Sequence, residues 1–228
     1  MTRYAEDPAV DGAYTARYAH VPGDAPLSRY FALLGANDPV CWWLGKADRQ
    51  SYAAAVPRTR IVEFHRRIPS LGDNGFFIKR EVLRKVAFTP ETFGSCMCIC
   101  EDLRRLGHAR YWVVAEQSLW HRTGEDVGDY LKRRWRYVHD LYWDKVGLRR
   151  WRMVVGLRDW SCVFLFALCS LAVVPHLGTA LVGFGRRRDS AWLLHPLVCL
   201  ALTVLYAVAW LRFLLSRLSF PRWRGKMI

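Results

Sequence analysis

Acidic residues are in short supply. The 228-residue chain carries 20 Asp and Glu against 34 Lys and Arg, a formal net charge of +14. Such an excess leaves three kinds of partner: nucleic acid, anionic lipid or a phosphorylated substrate. Nucleic-acid recognition motifs of the usual kinds are missing. The cations gather at 132–158 and from Arg212 onward, flanking two apolar runs, and that placement favours membrane lipids over nucleic acid. A secretory signal is also missing, because residues 1–11 are polar and include Glu6 and Asp7. The seven cysteines are odd in number, and Cys162, Cys169 and Cys199 lie inside the apolar runs. They form no disulfide framework and suit a reducing cytosol. Cys96, Cys98 and Cys100 lack the companion cluster that zinc sites usually need, so they are expected to be small core residues. No internal repeat or low-complexity tract occurs.

Charge is absent altogether from residues 160–184 and again from 191–211. Each run exceeds the roughly 20 residues that a helix needs to cross a bilayer. Pro175 and His176 interrupt the first and His195 and Pro196 open the second, but membrane helices tolerate proline. The linker 185–190 is short, so a transmembrane hairpin is expected; the alternative is a buried hairpin in a core. A hairpin would leave Arg149, Arg150, Arg152 and Arg158 on the same side as Arg212, Arg217, Arg222, Arg224 and Lys226. Arg186, Arg187 and Arg188 would fall on the other. The larger basic count places residues 1–158 in the cytoplasm, on a multi-pass cell-membrane protein.

The polar region reads as alternating strands and helices, an α/β pattern. Residues 12–19 alternate like a strand, 27–44 look helical with a break at Asn37-Asp38-Pro39, and 58–65 form a second strand. Gly72-Asp73-Asn74-Gly75 makes a turn, 76–86 has helical spacing, Thr89-Pro90-Glu91 resembles a helix start, and 109–115 is a strand. Val127, Leu131, Trp135, Val138, Tyr142 and Val146 recur at helical spacing across 126–146. This amphipathic helix lies either in the bilayer interface or on the core of its own domain. Three parts follow: 1–126, 127–158 and 159–228.

Several short motifs occur in a fixed order. Asn37-Asp38-Pro39-Val40 precedes Trp43-Leu44-Gly45-Lys46. Gly72-Asp73-Asn74-Gly75-Phe76 precedes Arg80-Glu81-Val82-Leu83. Trp120-His121-Arg122-Thr123-Gly124-Glu125 precedes Tyr130-Leu131-Lys132-Arg133-Arg134. The series resembles the second half of the catalytic domain of family 2 glycosyltransferases of GT-A fold, over most of residues 10–145. The trailing apolar hairpin is similar to that of lipid-linked members. The resemblance implies transfer of a sugar from a nucleotide-sugar donor to a lipid-linked or glycan acceptor.

Such a transfer needs cations or a metal on the leaving diphosphate, a carboxylate base and a loop that aligns the acceptor. The resemblance implies an acidic pair before Gly107, yet the usual positions near Ser95 to Cys98 hold no carboxylate. Asp102 or Glu101 is therefore the candidate base, with Asp73 as another choice and a solvated helix face as the plain reading of the pair. His121 is the implied ligand of a divalent metal, Mn²⁺ or Mg²⁺, or else a residue that only caps its loop. Asp73, Asn74 and Gly75 are the implied acceptor loop. Arg134-Trp135 resembles the end of the Gln-x-x-Arg-Trp signature of processive synthases, with Leu131 in the glutamine position, which argues against processive polymerisation. Both residues are acceptor-binding candidates. The family's Asp-x-Asp pair occurs nowhere in the chain. The donor-binding half is expected to be missing or to be supplied by a separate subunit. A non-catalytic, membrane-anchored interaction protein is the second expectation.

Overall fold

The computed structural model describes residues 4, 6–47, 49–71, 75–86, 96–124, 126–139 and 149–219. Two parallel strands form the centre of a mixed α/β fold. Strand β1 (Gly12–Ala19) pairs in parallel with β4 (Arg110–Trp120). Strand β2 (Arg60–Glu63) runs antiparallel on the outer side of β4, and β3 (Phe76–Ile78) antiparallel on that of β1, giving the order β2-β4-β1-β3. β1 is buried along most of its length, as expected of a strand covered on both faces.

Residues 76–86 depart from their helical spacing. Phe76 packs on Tyr14 and Tyr111, with ring centroids 6.3 and 5.2 Å apart. Cross-strand aromatic packing of this kind outweighs local propensity, so β3 forms first and only the short α3 (Arg80–Leu83) follows. The expected helix start at 89–91 lies outside the described residues. Helix α4 (Cys96–Arg105) covers the sheet, and its Cys100 is buried with Tyr14, Tyr111 and Val113, the core role expected of that cysteine.

Helix α1 (Pro26–Leu34) starts on a proline that needs no N–H partner and stops at Gly35, whose φ of 76° supplies the left-handed cap. The break expected at Asn37-Asp38-Pro39 is a new helix start. The Asp38 carboxylate accepts the Val40 N–H at 2.8 Å and caps α2 (Pro39–Trp43). Helix α5 (Val127–Tyr137) is the expected amphipathic helix; residues 140–146 of its expected extent lie outside the described residues. Of the two placements left open, its Tyr130 side packs on a core. Tyr130 lies 4.6 Å from the Phe31 ring and shares a cluster with Trp192, Val198 and Leu202.

The first apolar run is not one straight span. Helices α6 (Gly156–Ala172) and α7 (Val174–Arg186) meet at 87°, at Val173 with φ 63°. A 3-10 turn (Ser190–Leu194) leads into α8 (His195–Ser219). Among the described residues, one segment, Ser190–Ser216, is long and apolar enough to cross a membrane, and the bent pair would make at most a second.

The linker of the expected hairpin is docked on the α/β domain. Asp189 pairs with Arg29 at 3.1 Å, and Arg29 also donates to the carbonyl of Pro22 at 2.6 Å. Arg186 donates to the Ala53 carbonyl, and the Arg187 guanidinium sits 5.4 Å over the Tyr52 ring. Gly183 makes room for the fully buried Trp192, whose ring a Cβ there would meet at 2.4 Å. Helix α8 then follows the domain. Its His195 meets Tyr30, its Tyr206 meets Asp38 and its Arg212 covers the Trp135 ring at 5.2 Å. At about 1.5 Å per residue these contacts run along about 25 Å of helix. The start of α6 is tied down as well, with Asp159 accepting from Lys46 and, at 3.1 Å, from Arg67.

Two outcomes follow from this docking. Cysteines placed at Gly23 and at Ser190 should react with an impermeant maleimide from the same side of sealed vesicles; labelling from opposite sides would separate the linker from the domain. Asp38→Ala removes a cap and leaves Arg134 facing a buried gap, so it should lower stability by about 3–5 kcal/mol in detergent unfolding. Asp38→Asn should recover part of that loss by restoring the cap alone. A loss below about 1 kcal/mol for Asp38→Ala would show that the carboxylate holds nothing together.

Candidate functional site: a cationic cleft and a buried histidine–cysteine group

Parallel pairing brings the carboxyl ends of β1 and β4 to one edge, where Ala19 lies opposite Trp120. The chain leaves that edge through His20 and His121, and each path then enters a helix, α1 or α5. Ligands of α/β sheets gather outside the carboxyl ends of parallel strands, near such helix starts. A cleft of about 650 Å³ opens there. It is lined by Gly23, Asp24 and Ser28, by Arg122 and Gly124, and by Asp129, Lys132, Arg133 and Arg136 of α5.

The cleft is held open by its own backbone contacts. Ser28 Oγ donates to the Gly124 carbonyl at 2.8 Å, and Arg133 donates to the Thr123 carbonyl. Thr123 in turn donates to Asn37 Oδ1 at 3.2 Å. A Cβ on Gly124 would lie 2.6 Å from Arg133 Nη2, so a larger residue there displaces the guanidinium. Among the described residues, four cations thus face two carboxylates. Asp24 already accepts the Val21 N–H at 2.9 Å, and Asp129 lies 3.9 Å from Lys132. Among the described residues no carboxylate pairs with Arg122, Arg133 or Arg136. Guanidinium groups in this state suit a phosphate, which they meet through a planar fork of donors.

The expected site residues are dispersed. His121 stacks on Tyr18, ring centroids 5.4 Å apart, one residue before the cleft's Arg122. Gly75 comes to the same end of the sheet. Its φ is 66°, a Cβ there would meet Leu119 at 2.8 Å, and its carbonyl accepts from Arg49 at 3.3 Å. Asp73 and Asn74 lie outside the described residues. Arg134 turns away from the cleft to pair with Asp38 at 2.5 Å and to donate to the Asn37 carbonyl at 3.1 Å. Trp135 lies beneath Arg212.

Glu101 and Asp102 do not line the cleft. Arg150 holds Asp102 through both carboxylate oxygens at 2.6 Å. Arg104 grips Glu101 at 2.7 and 2.9 Å, and Arg105 reaches it at 3.4 Å. Burial pushes the Glu101 carboxyl up, but the hydrogen bonds and charges of Arg104 and Arg105 outweigh it and hold the group below its usual range. A carboxylate held in this way is a poor proton acceptor.

A group that could hold a metal lies elsewhere. One ligand atom each from His176, His195 and Cys199 falls within 4.8 Å of the others, and all three residues are buried. His121 is not part of it. Two imidazoles and a thiol suit a softer ion than the Mn²⁺ or Mg²⁺ expected from the resemblance. The spacing of His195 and Cys199, one helical turn apart, is legible in the sequence; their meeting with His176 on another helix is not.

No protein-family model, curated protein or solved structure matches the chain.

His20 sits edge-on to Tyr52 at 4.9 Å, with its Nδ1 buried and unbonded. Burial, then the nearby Arg187 charge, lowers its pKa below the ordinary histidine value. The folded state therefore favours neutral His20. Its contribution to stability is complete above the unfolded pKa of about 6.5 and is lost as pH falls through the lower folded value. Unfolding midpoints should drop as pH falls below about 6.5, and His20→Gln should flatten that slope. An unchanged slope in the variant would assign the pH dependence to other groups.

Proposed function

We propose that this chain seats a phosphate-binding cleft on a membrane surface and serves the acceptor side of sugar transfer to a lipid-linked or glycan acceptor. The observation that carries the reading is the two-sidedness of α5. Arg133 and Arg136 face the cleft, while Tyr130 packs in the cluster that contains residues of α8. The outer faces of α6, α7 and α8 expose Phe164, Leu168, Leu181, Leu197, Val204 and Leu211. An apolar surface of this extent fits a bilayer rather than water. A phosphate with a hydrocarbon tail would thus find its charge and its tail served by neighbouring surfaces.

The resemblance to family 2 glycosyltransferases supplies the reaction class and the GT-A expectation. The donor, a nucleotide sugar with its Mn²⁺ or Mg²⁺, would be held by carboxylates outside this chain, because no Asp-x-Asp pair occurs in it. We assign the domain to the cytoplasmic face. The docked linker supports this, since Arg186, Arg187 and Arg188 then join the other flanking cations on one side. A second reading, a non-catalytic membrane-anchored interaction protein, draws support from Glu101 and Asp102, both tied up in ion pairs.

The test is binding by the full chain in lipid nanodiscs, with a short-chain isoprenyl phosphate and its parent alcohol as probes. The phosphate should bind and the alcohol should not. Arg122→Gln with Arg136→Gln should weaken binding at least about tenfold, the cost of one lost charge-assisted contact. Equal binding of phosphate and alcohol, or an unaffected double variant, would remove the cleft from the reaction.

A further inference from the structure

We propose that His176, His195 and Cys199 form a preorganised site for one zinc ion, which pins α7 to α8 beneath α1. This site is separate from the cationic cleft and does not depend on the reading of that cleft. Two helices supply its three ligands. His195 and Cys199 stand one turn apart on α8, on one face of the helix. His176 enters from α7 because the chain bends by 87° at Val173, a β-branched residue at φ 63°. Such a backbone is costly and persists only where its surroundings enforce it. Here the bend puts the His176 ring edge-on to that of His195, 5.1 Å away. All three residues are fully buried.

The hydrogen bonds select the tautomer of His176. Ser170 Oγ donates its only proton to the Phe166 carbonyl at 2.8 Å. Its contact with His176 Nε2 at 3.1 Å must therefore run the other way, with Nε2–H donating to the hydroxyl oxygen. That leaves Nδ1 of His176 as a bare lone pair, and this atom is buried with no hydrogen-bond partner. A buried acceptor left unsatisfied is costly and calls for an explanation. A bound cation supplies one.

His195 is oriented in the same manner. Its Nδ1 lies 2.8 Å from Tyr30 Oη, which leaves Nε2 for the ion when Nδ1–H is the donor. Nε2 lies 3.7 Å from Cys199 Sγ. Zinc bonds of about 2.3 Å to sulfur and 2.0–2.1 Å to nitrogen at a tetrahedral angle place those atoms about 3.6 Å apart. Binding forms one Zn–S and two Zn–N bonds and releases the thiol proton to solvent, since the thiolate is the ligand. Three protein ligands leave a fourth position for an exogenous donor.

The experiment uses the full chain in detergent, stripped with a chelator and titrated with zinc chloride against a chromophoric competitor, and separately with cobalt chloride. One equivalent of zinc should bind and raise the unfolding midpoint. Cobalt should give a thiolate charge-transfer band. Cys199→Ser should abolish that band while Cys162→Ser and Cys169→Ser keep it. Tyr30→Phe should keep the band but weaken zinc binding about 10–100-fold, as expected for a group that only orients a ligand. The proposal is overturned if cobalt bound to the unaltered protein shows no thiolate band, an outcome that needs no variant to fold. Equal zinc binding by a His176→Gln, Cys199→Ser double variant would overturn it as well.

Discussion

One buried carboxylate ties together three helices that lie far apart in the chain. Asp38 caps α2, pairs with Arg134 of α5 at 2.5 Å and accepts the hydroxyl proton of Tyr206 of α8 at 2.6 Å. The neighbouring Asn37 carbonyl accepts from Tyr130 at 2.9 Å and from Arg134 at 3.1 Å. A charge taken out of water is tolerated only with such partners. The arrangement therefore fixes more than a turn. With Arg134 pointing inward, helical geometry turns Arg133 and Arg136 toward other faces, and those faces line the cleft. With Tyr206 bound at mid-helix, α8 lies along the domain instead of leaving it end-on.

A second set of charges decides how the apolar helices are attached. Lys46 and Arg67 hold Asp159 at the start of α6, and Arg29 holds Asp189 in the linker. Between these points the chain bends back at Val173, so both ends of the α6–α7 pair are anchored to one domain. A linker read by charge alone puts three arginines where basic residues are disfavoured. Docked on the domain, Arg186 and Arg187 find a carbonyl and an aromatic face. The conflict arises from assuming that a long apolar run must cross the bilayer, when its length permits either crossing or lying along a surface.

The sequence makes local features legible and leaves their meetings obscure. β1, β4 and α5 show in the spacing of their apolar residues, and the start of α2 shows in Asn37-Asp38-Pro39, because each is set by neighbours in the chain. β3 is hidden under a helical spacing, since its state depends on Tyr14 and Tyr111, distant in sequence. The cleft is half legible. His121-Arg122-Thr123-Gly124 and the arginines of α5 stand out, but nothing local says that Arg134 is spent on Asp38 while Arg136 is not. The histidine–cysteine group is least legible. His176 and His195 read as interruptions of apolar runs until the bend at Val173 brings them together.

That difference between paired and unpaired cations bears directly on function. Most motif-borne charges here are neutralised at close range: Arg134 by Asp38, Lys46 by Asp159, Arg104 by Glu101 and Arg150 by Asp102. A neutralised pair supports the fold and has little field left for a ligand. Arg122 and Arg136 stand at the edge where two parallel strands end, and among the described residues no carboxylate answers them. A fold that satisfies its buried charges yet leaves these cations together in a cleft retains an attraction for anions. The residue types of a motif do not show which of its charges are spent in this way, because the partners lie far off in the chain.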